Sequence, residues 1–173
     1  MGFSKTNILI TGPPGIGKTT LIKKICNALQ HLQPVGFYTK EIRESGVRKG
    51  FELVSLNGRK GLLSHVDIKS PHNVGKYGVD VTGFEDFLKH IDFLSPSTGL
   101  IIIDEIGKME CFSNTFNTLL QKILGSDTFV IATISLRGGG QIREIKKRKD
   151  HSLYEMTQQN RDSLLSEILQ AFT

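Results

Sequence analysis

Two periodicities alternate along the chain. Ile8-Leu9-Ile10 is an unbroken apolar run of strand type. Leu21, Ile25, Leu29 and Leu32 then recur at helical spacing, with Lys23, Lys24 and Gln30 on the other face, and Pro34 is expected to close that helix. Residues 35–39 and 51–56 read as strands. Between them residues 41–49 are charged, with a turn near Ser45-Gly46. Asn57-Gly58 directly after a strand signals a hairpin whose two central residues take positive φ, with Leu62-Leu63 on the return strand. Gly75, Gly78 and Gly83 then punctuate a stretch read as a loop carrying Tyr77, before a helix with Phe84, Phe87, Leu88 and Ile91.

The second half returns to long apolar runs. Leu100-Ile101-Ile102-Ile103 ends on Asp104-Glu105, and residues 128–134 form another such run. Runs of this kind without alternation read as strands buried on both faces, as in a parallel sheet. Helices are expected over 113–124, ended by Gly125, and over 142–149. A last strand is expected over 153–157, and Leu164, Leu165, Ile168 and Leu169 mark a final amphipathic helix. The whole predicts one α/β domain over residues 1–173. A β-rich insert over roughly 35–83 is too tightly connected for parallel crossovers and so is antiparallel.

Between the first run and the first helix lies Gly12-Pro13-Pro14-Gly15-Ile16-Gly17-Lys18-Thr19-Thr20. The spacing Gly-x-x-x-x-Gly-Lys-Thr between strand and helix is the phosphate-binding P-loop. Its fixed positions match by chance in roughly 1 in 100 chains of this length. The glycines let the backbone turn with positive φ and approach an anion. The amides from Gly15 to Thr20 then meet phosphate oxygens at a helix N-terminus, where the dipole favours negative charge. Pro13 and Pro14 lack amides and stiffen the loop entry. Lys18 is placed to reach the β- and γ-phosphates, and the Thr19 hydroxyl to hold Mg²⁺.

Composition adds bounds. The 173 residues carry a net charge of +5, which suits a binder of phosphates; nucleic acid is compatible with it but not required. Runs as short as Leu100–Ile103 cannot span a bilayer, and no secretory leader is read before the first strand. Two isolated cysteines make no disulfide framework, and a reducing, cytoplasmic setting is expected. Residues 1–6 fit the loose N-myristoylation pattern, a permissive signal. The five histidines are scattered without metal-ligand spacing.

Asp104-Glu105 closes a buried strand, where ligand groups sit in an open α/β sheet. Asp104 occupies the Walker B position and is placed to hold Mg²⁺. Glu105, one residue on, points elsewhere in an extended chain and suits a base that deprotonates the water attacking the γ-phosphate. Of Thr133 and Ser135, at the end of the neighbouring run, one either touches the γ-phosphate or its water, or simply caps the strand. Arg137, before Gly138-Gly139-Gly140, is either a solvated loop residue or a guanidinium that swings onto transition-state charge. The run Arg143, Lys146, Lys147, Arg148, Lys149 reads either as the solvated face of a packed helix or as a nucleic-acid patch.

Together these stretches resemble the thermophile-type nucleoside triphosphatases, the family that includes the cancer-related nucleoside triphosphatase. The resemblance rests on the P-loop, Gly36-Phe37-Tyr38-Thr39, residues 74–79, Asp104-Glu105-Ile106-Gly107-Lys108-Met109-Glu110, residues 154–157 and Asn160-Arg161-Asp162. It implies a RecA-like P-loop fold, a three-layer sandwich around a mostly parallel sheet. It also implies Mg²⁺-dependent hydrolysis of ATP, GTP, CTP and UTP to diphosphate and phosphate, with little base selectivity. By position it places nucleotide contacts on Gly12 to Thr19 and on Leu100, Ile101, Ile102, Ile103, Asp104, Glu105, Ile106 and Gly107. The glycine-rich stretch 134–140 departs from the family's usual proline and basic residue. A monomer acting on a small-molecule nucleotide is expected. The rival readings are a nucleotide or small-molecule kinase and a nucleic-acid-stimulated ATPase.

Overall fold

The computed structural model describes residues 7–172; the myristoylation-type pattern lies outside the described residues. Its one described sheet has nine strands in the order β5-β6-β4-β3-β2-β7-β8-β1-β9. Strand β1 (Asn7–Thr11) pairs in parallel with β8 (Phe129–Ile134) and with β9 (His151–Glu155). Strand β7 (Leu100–Ile106) runs parallel to β8 on one side and to β2 (Pro34–Glu44) on the other. Beyond β2 the sheet continues antiparallel through β3 (Val47–Ser55), β4 (Lys60–His65), β6 (Tyr77–Val79) and β5 (Asn73–Val74). The insert therefore extends the parallel sheet instead of forming a separate layer.

Alternation along the buried strands separates two cores. Leu9, Ile101 and Ile103 face one cluster; Ile8, Ile10, Leu100 and Ile102 face the other. The first is covered by α2 (Val81–Lys89), α3 (Asn114–Leu124) and α4 (Gly140–Lys147), and centres on Phe37 edge-on to Phe84, Phe87 and Phe116. The second is covered by α1 (Lys18–Ala28) and α5 (Leu164–Leu169). The result is the expected three-layer sandwich. Side-chain caps start two of the helices: Asp80 accepts from the Gly83 amide at 2.9 Å, and Ser113 from Phe116 at 2.9 Å.

Several boundaries differ from the sequence pattern for local reasons. The first helix ends at Ala28, Leu32 falls in a 3₁₀ turn, and Pro34 opens β2 instead of closing the helix. The charged residues 41–49, given no strand in the sequence pattern, are paired on both sides of the expected turn, because β2 and β3 continue past the core to Ser45 and Gly46, which both take positive φ. At Asn57-Gly58 only Gly58 has positive φ. That hairpin uses a longer loop in which the Arg59 amide donates to Ser55 Oγ at 2.9 Å. The stretch around Tyr77, read as a loop, is the β5–β6 hairpin with Tyr77 buried.

Gly36 shows what holds the parallel and antiparallel halves together. It has φ 138°, and a Cβ there would lie 1.8 Å from the Ile102 carbonyl oxygen across the β2–β7 pair. Gly36→Ala is expected to destabilise the protein by about 3 kcal/mol, read as a lower urea midpoint. An unchanged midpoint would show that the strand pair separates without cost.

Candidate functional site

The site forms where β1, β7 and β8 end together. Strand β1 hands the chain to the P-loop, and α1 is preceded by Gly17 at its N-cap, which has φ 111° and supplies no side-chain cap. The first amides of α1 are thus left for a ligand, the arrangement that favours phosphate at a helix N-terminus. Gly15 has φ 77°, and Gly12 passes so close to the Met156 carbonyl that a Cβ would lie 2.7 Å from it. Ile16 is buried in the second core and anchors the loop from below. Lys18 Nζ donates to the carbonyls of Gly12 at 3.0 Å and Pro13 at 3.2 Å, so it lies across the loop it serves.

Facing the loop, Asp104 is 2 % exposed and accepts two hydroxyl hydrogen bonds: from Thr19 Oγ1 at 2.6 Å and from Thr133 Oγ1 at 2.5 Å. Burial pushes its carboxyl up from the ordinary range, and the two threonine bonds pull it back down. The peptide between Asp104 and Glu105 is cis, and the β7–β8 ladder is irregular between Ile103 and Ile106. Glu105 Oε1 accepts from Ser135 Oγ at 2.6 Å. Thr133 and Ser135, open in the sequence between a γ-phosphate role and a strand cap, therefore each hold one carboxylate. Lys146 Nζ donates to the carbonyls of Ser135 at 2.6 Å and Leu136 at 2.8 Å, fixing the loop from which Ser135 and the exposed Arg137 project.

These groups line a cleft of about 840 Å³. From the P-loop it takes Pro14, Gly15, Gly17, Lys18, Thr19 and Thr20, and from the end of β7 it takes Asp104, Glu105 and Gly107. The side chains of Leu100, Ile101, Ile102, Ile103 and Ile106 do not line it. All five are fully buried, because alternation along β7 sends them into the two cores. The expected contact segment Leu100 to Gly107 thus meets the cleft only through its end.

Sequence reasoning gave no role to Glu110. It is buried at the start of a 3₁₀ turn, Glu110–Phe112. A Cβ on Gly107 would lie 2.9 Å from Glu110 Oε2, 3.2 Å from Ser135 Oγ and 3.5 Å from Glu105 Oε1, so these three groups converge on one glycine. Burial, and then the Glu105 and Asp104 carboxylates, push Glu110 up to about 8. The only hint in the sequence is an acidic residue inside the motif 104–110. Also unforeseen is the far wall, where Arg48 Nε donates to Tyr77 Oη at 3.0 Å and Arg48 Nη1 to Glu41 Oε1 at 3.0 Å.

Other candidates resolve away from the cleft. In the basic run, Ile142 and Ile145 are buried, Lys147 pairs with Glu144, and Arg148 bonds Asp150 and Gln121. Those partners fit the packed-helix reading. Burial raises the thiols of Cys26 and Cys111, the latter to about 12, which leaves both poor nucleophiles. Among the described residues no helix is long and apolar enough to cross a membrane.

A family model described as NTPase matches residues 7–169. The nucleoside-triphosphatase THEP1 of Thermotoga petrophila is 47% identical over 163 residues, 94% of this chain and 90% of that protein. The chain belongs to the THEP1-type nucleoside-triphosphatase family. The human cancer-related nucleoside-triphosphatase is 40% identical, over 94% of both chains. Two solved structures share the fold of this family member. The crystal structure of THEP1 from Aquifex aeolicus has a TM-score of 0.80 at 36% identity, over 95% of this chain and 98% of that one. The solution structure of the human protein has a TM-score of 0.81 at 38% identity, over 97% of each chain.

Proposed function

We propose that this chain hydrolyses Mg²⁺-bound nucleoside triphosphates to diphosphate and phosphate with little base selectivity. Family membership supports the hydrolysis of nucleoside triphosphates. The observation that carries the rest is the placement of two separately held carboxylates, Asp104 and Glu105, opposite one P-loop.

The residues fit a magnesium ion. Thr19 Oγ1 and Asp104 are already within hydrogen-bond distance, and a buried carboxylate with only hydroxyl partners gains from a hard cation. Mg²⁺ takes one or two protein oxygens and fills its shell with phosphate and water, a demand that Thr19 and Asp104 can meet. When bound, the ion would neutralise charge on the β- and γ-phosphates. Thr133 orients Asp104 through its second oxygen. The amides of the P-loop and Lys18 receive the phosphates, Lys18 exchanging the carbonyls of Gly12 and Pro13 for phosphate oxygens. Glu105, oriented by Ser135, takes the proton of the attacking water. Arg137, on the exposed loop, is within the cleft lining and stands ready to meet charge there.

Weak base selectivity is supported by the lining itself. Around the helix start it consists of Pro14, Gly15, Gly17, Lys18, Thr19, Thr20 and Lys23, with no side-chain amide among them to read a base edge. The reading carries a monomer in the cytoplasm as its setting, with no nucleic acid required. Phosphate release measured with ATP, GTP, CTP and UTP is expected to be similar for all four, within about threefold, and to stop on chelation of Mg²⁺. Asp104→Asn is expected to weaken Mg²⁺-nucleotide binding at least about tenfold. Release from one nucleotide alone, or release indifferent to chelation, would overturn the reading.

A further inference from the structure

The cleft extends beyond the P-loop and the Asp104-Glu105 pair, and the extension lies on one side. In the pose the proposed function requires, the triphosphate runs from the start of α1 toward Asp104 and Glu105, so its γ-phosphate faces the end of β7. Strands β2, β3, β4, β6 and β5 all lie beyond β7, on the side away from β1. The nucleoside, at the other end of the triphosphate, then extends away from β7. Yet nine residues lining the cleft come from the stretch 39–77, among them Thr39, Glu41, Arg48, Phe51, Leu63 and Tyr77. In that pose they stand beyond the γ-phosphate and not beside the nucleoside. They enclose space past its γ-phosphate, where an attacking water occupies only about 30 Å³.

The chemistry of this wall is specific. Phe51 and Tyr77 meet edge-on, with centroids 5.7 Å apart, over a floor completed by the buried Leu63. The Arg48 guanidinium lies 5.3 Å from the Phe51 ring and 5.7 Å from the Tyr77 ring. It is held there by Tyr77 Oη and Glu41, and among the described residues its Nη2 has no hydrogen-bond partner. Lys40 and Lys108 stand exposed at the rim. A fixed guanidinium plane with aromatic rings is a platform on which nucleobases stack, and its free N–H edge can donate to an anion.

We propose that this chamber is a second-substrate subsite that binds a nucleoside with a free hydroxyl and presents that hydroxyl to the γ-phosphate. The base lies on the platform of Arg48, Phe51 and Tyr77, and any phosphate the nucleoside carries meets Arg48 and the rim lysines. Glu105 takes the hydroxyl proton, the hydroxyl oxygen bonds to the γ-phosphorus, and the bond from that phosphorus to the β,γ-bridging oxygen breaks. Its electron pair leaves on the nucleoside diphosphate, and Glu105 later returns the proton to solvent. Water takes the hydroxyl's place when the chamber is empty. This inference rests on the NTPase reading above, since it uses the same phosphate site and the same base.

The test is a single-turnover reaction of the full chain with γ-labelled ATP and Mg²⁺. It is run with no addition, with each of the four ribonucleosides, and with each of their 3′-monophosphates, and the products are separated by thin-layer chromatography. Label is expected in at least one 5′-phosphorylated product, rising to saturation with the acceptor. Preference for the 3′-monophosphates would mark the chain end of a nucleic acid as the source; equal use would mark free nucleosides. Arg48→Gln is expected to lower the ratio of transferred to released phosphate at least about tenfold at subsaturating acceptor, with Arg48→Lys restoring part of it. A role confined to holding the β2–β3 hairpin would leave that ratio unchanged. Phosphate release without acceptor tests the NTPase reading by itself. Normal release with label only in phosphate, for all eight acceptors at millimolar concentration, overturns the subsite and leaves that reading standing.

Discussion

In Glu105→Gln, Mg²⁺-ATP binding is expected to stay within about twofold of wild type while phosphate release falls about 10³-fold, some 4 kcal/mol of transition-state stabilisation. The substitution is nearly isosteric. Its carbonyl oxygen can still accept from Ser135 Oγ, which bonds Glu105 Oε1 at 2.6 Å, so the loop pinned by Lys146 keeps its place. The Asp104 carboxylate keeps both its threonine partners. What is lost is the ability to take a proton at the cleft side of β7. A fluorescent-nucleotide titration beside a phosphate-release assay separates the two effects. Loss of both would make Glu105 a binding group, and loss of neither would remove it from the mechanism. Ser135→Ala gives the intermediate case: the carboxylate remains but is free to turn, and a fall of about 10-fold is expected in the same assay.

The parts of this site that the sequence revealed are those written in contiguous residues. The P-loop is one such part, because strand, glycine turn and helix start follow one another within a few positions. The Asp104-Glu105 pair is another, because an apolar run buried on both faces ends on it. The partnerships are a different matter. Thr133 meets Asp104, and Ser135 meets Glu105, only through the β7–β8 register, and no periodicity within either strand encodes that register. The far wall was hidden for the same reason. Arg48 and Tyr77 are 29 residues apart and meet because β2 and β3 run on past the core, and that overhang is charged, without the apolar run that marks the neighbouring strands. Tyr77 itself lies between Gly75 and Gly78, which signalled a loop where a short hairpin packs. The family resemblance supplied the RecA-like expectation and the contact segment on β7. The buried side chains of Leu100 to Ile103 show that its first half supports the site from within the core.

Glu110 gives the other large effect, and its sign follows from proton linkage. In the unfolded chain its carboxyl ionises near the ordinary 4.5; in the folded protein it does so at about 8, because burial and then the neighbouring Glu105 charge disfavour the ionised form. Between these values the folded state holds a proton that the unfolded state has released. The contribution of Glu110 to stability is therefore fully present below pH 4.5, declines as pH rises, and is lost above about 8. The full span is up to about 5 kcal/mol at ~1.4 kcal/mol per pH unit. A glutamine side chain has no such proton to lose, so in Glu110→Gln this decline disappears while every other titration is shared with wild type. The two proteins are expected to melt within a few degrees of each other at about pH 5. At about pH 8.5 the variant is expected to melt higher by about 10–20 °C, since each kcal/mol moves Tm by ~2–4 °C in a chain of this size. Calorimetry at the two pH values reads the difference directly. Parallel curves would mean that Glu110 reaches solvent or a cation in the folded protein, and that the convergence of carboxylates on Gly107 is relieved some other way.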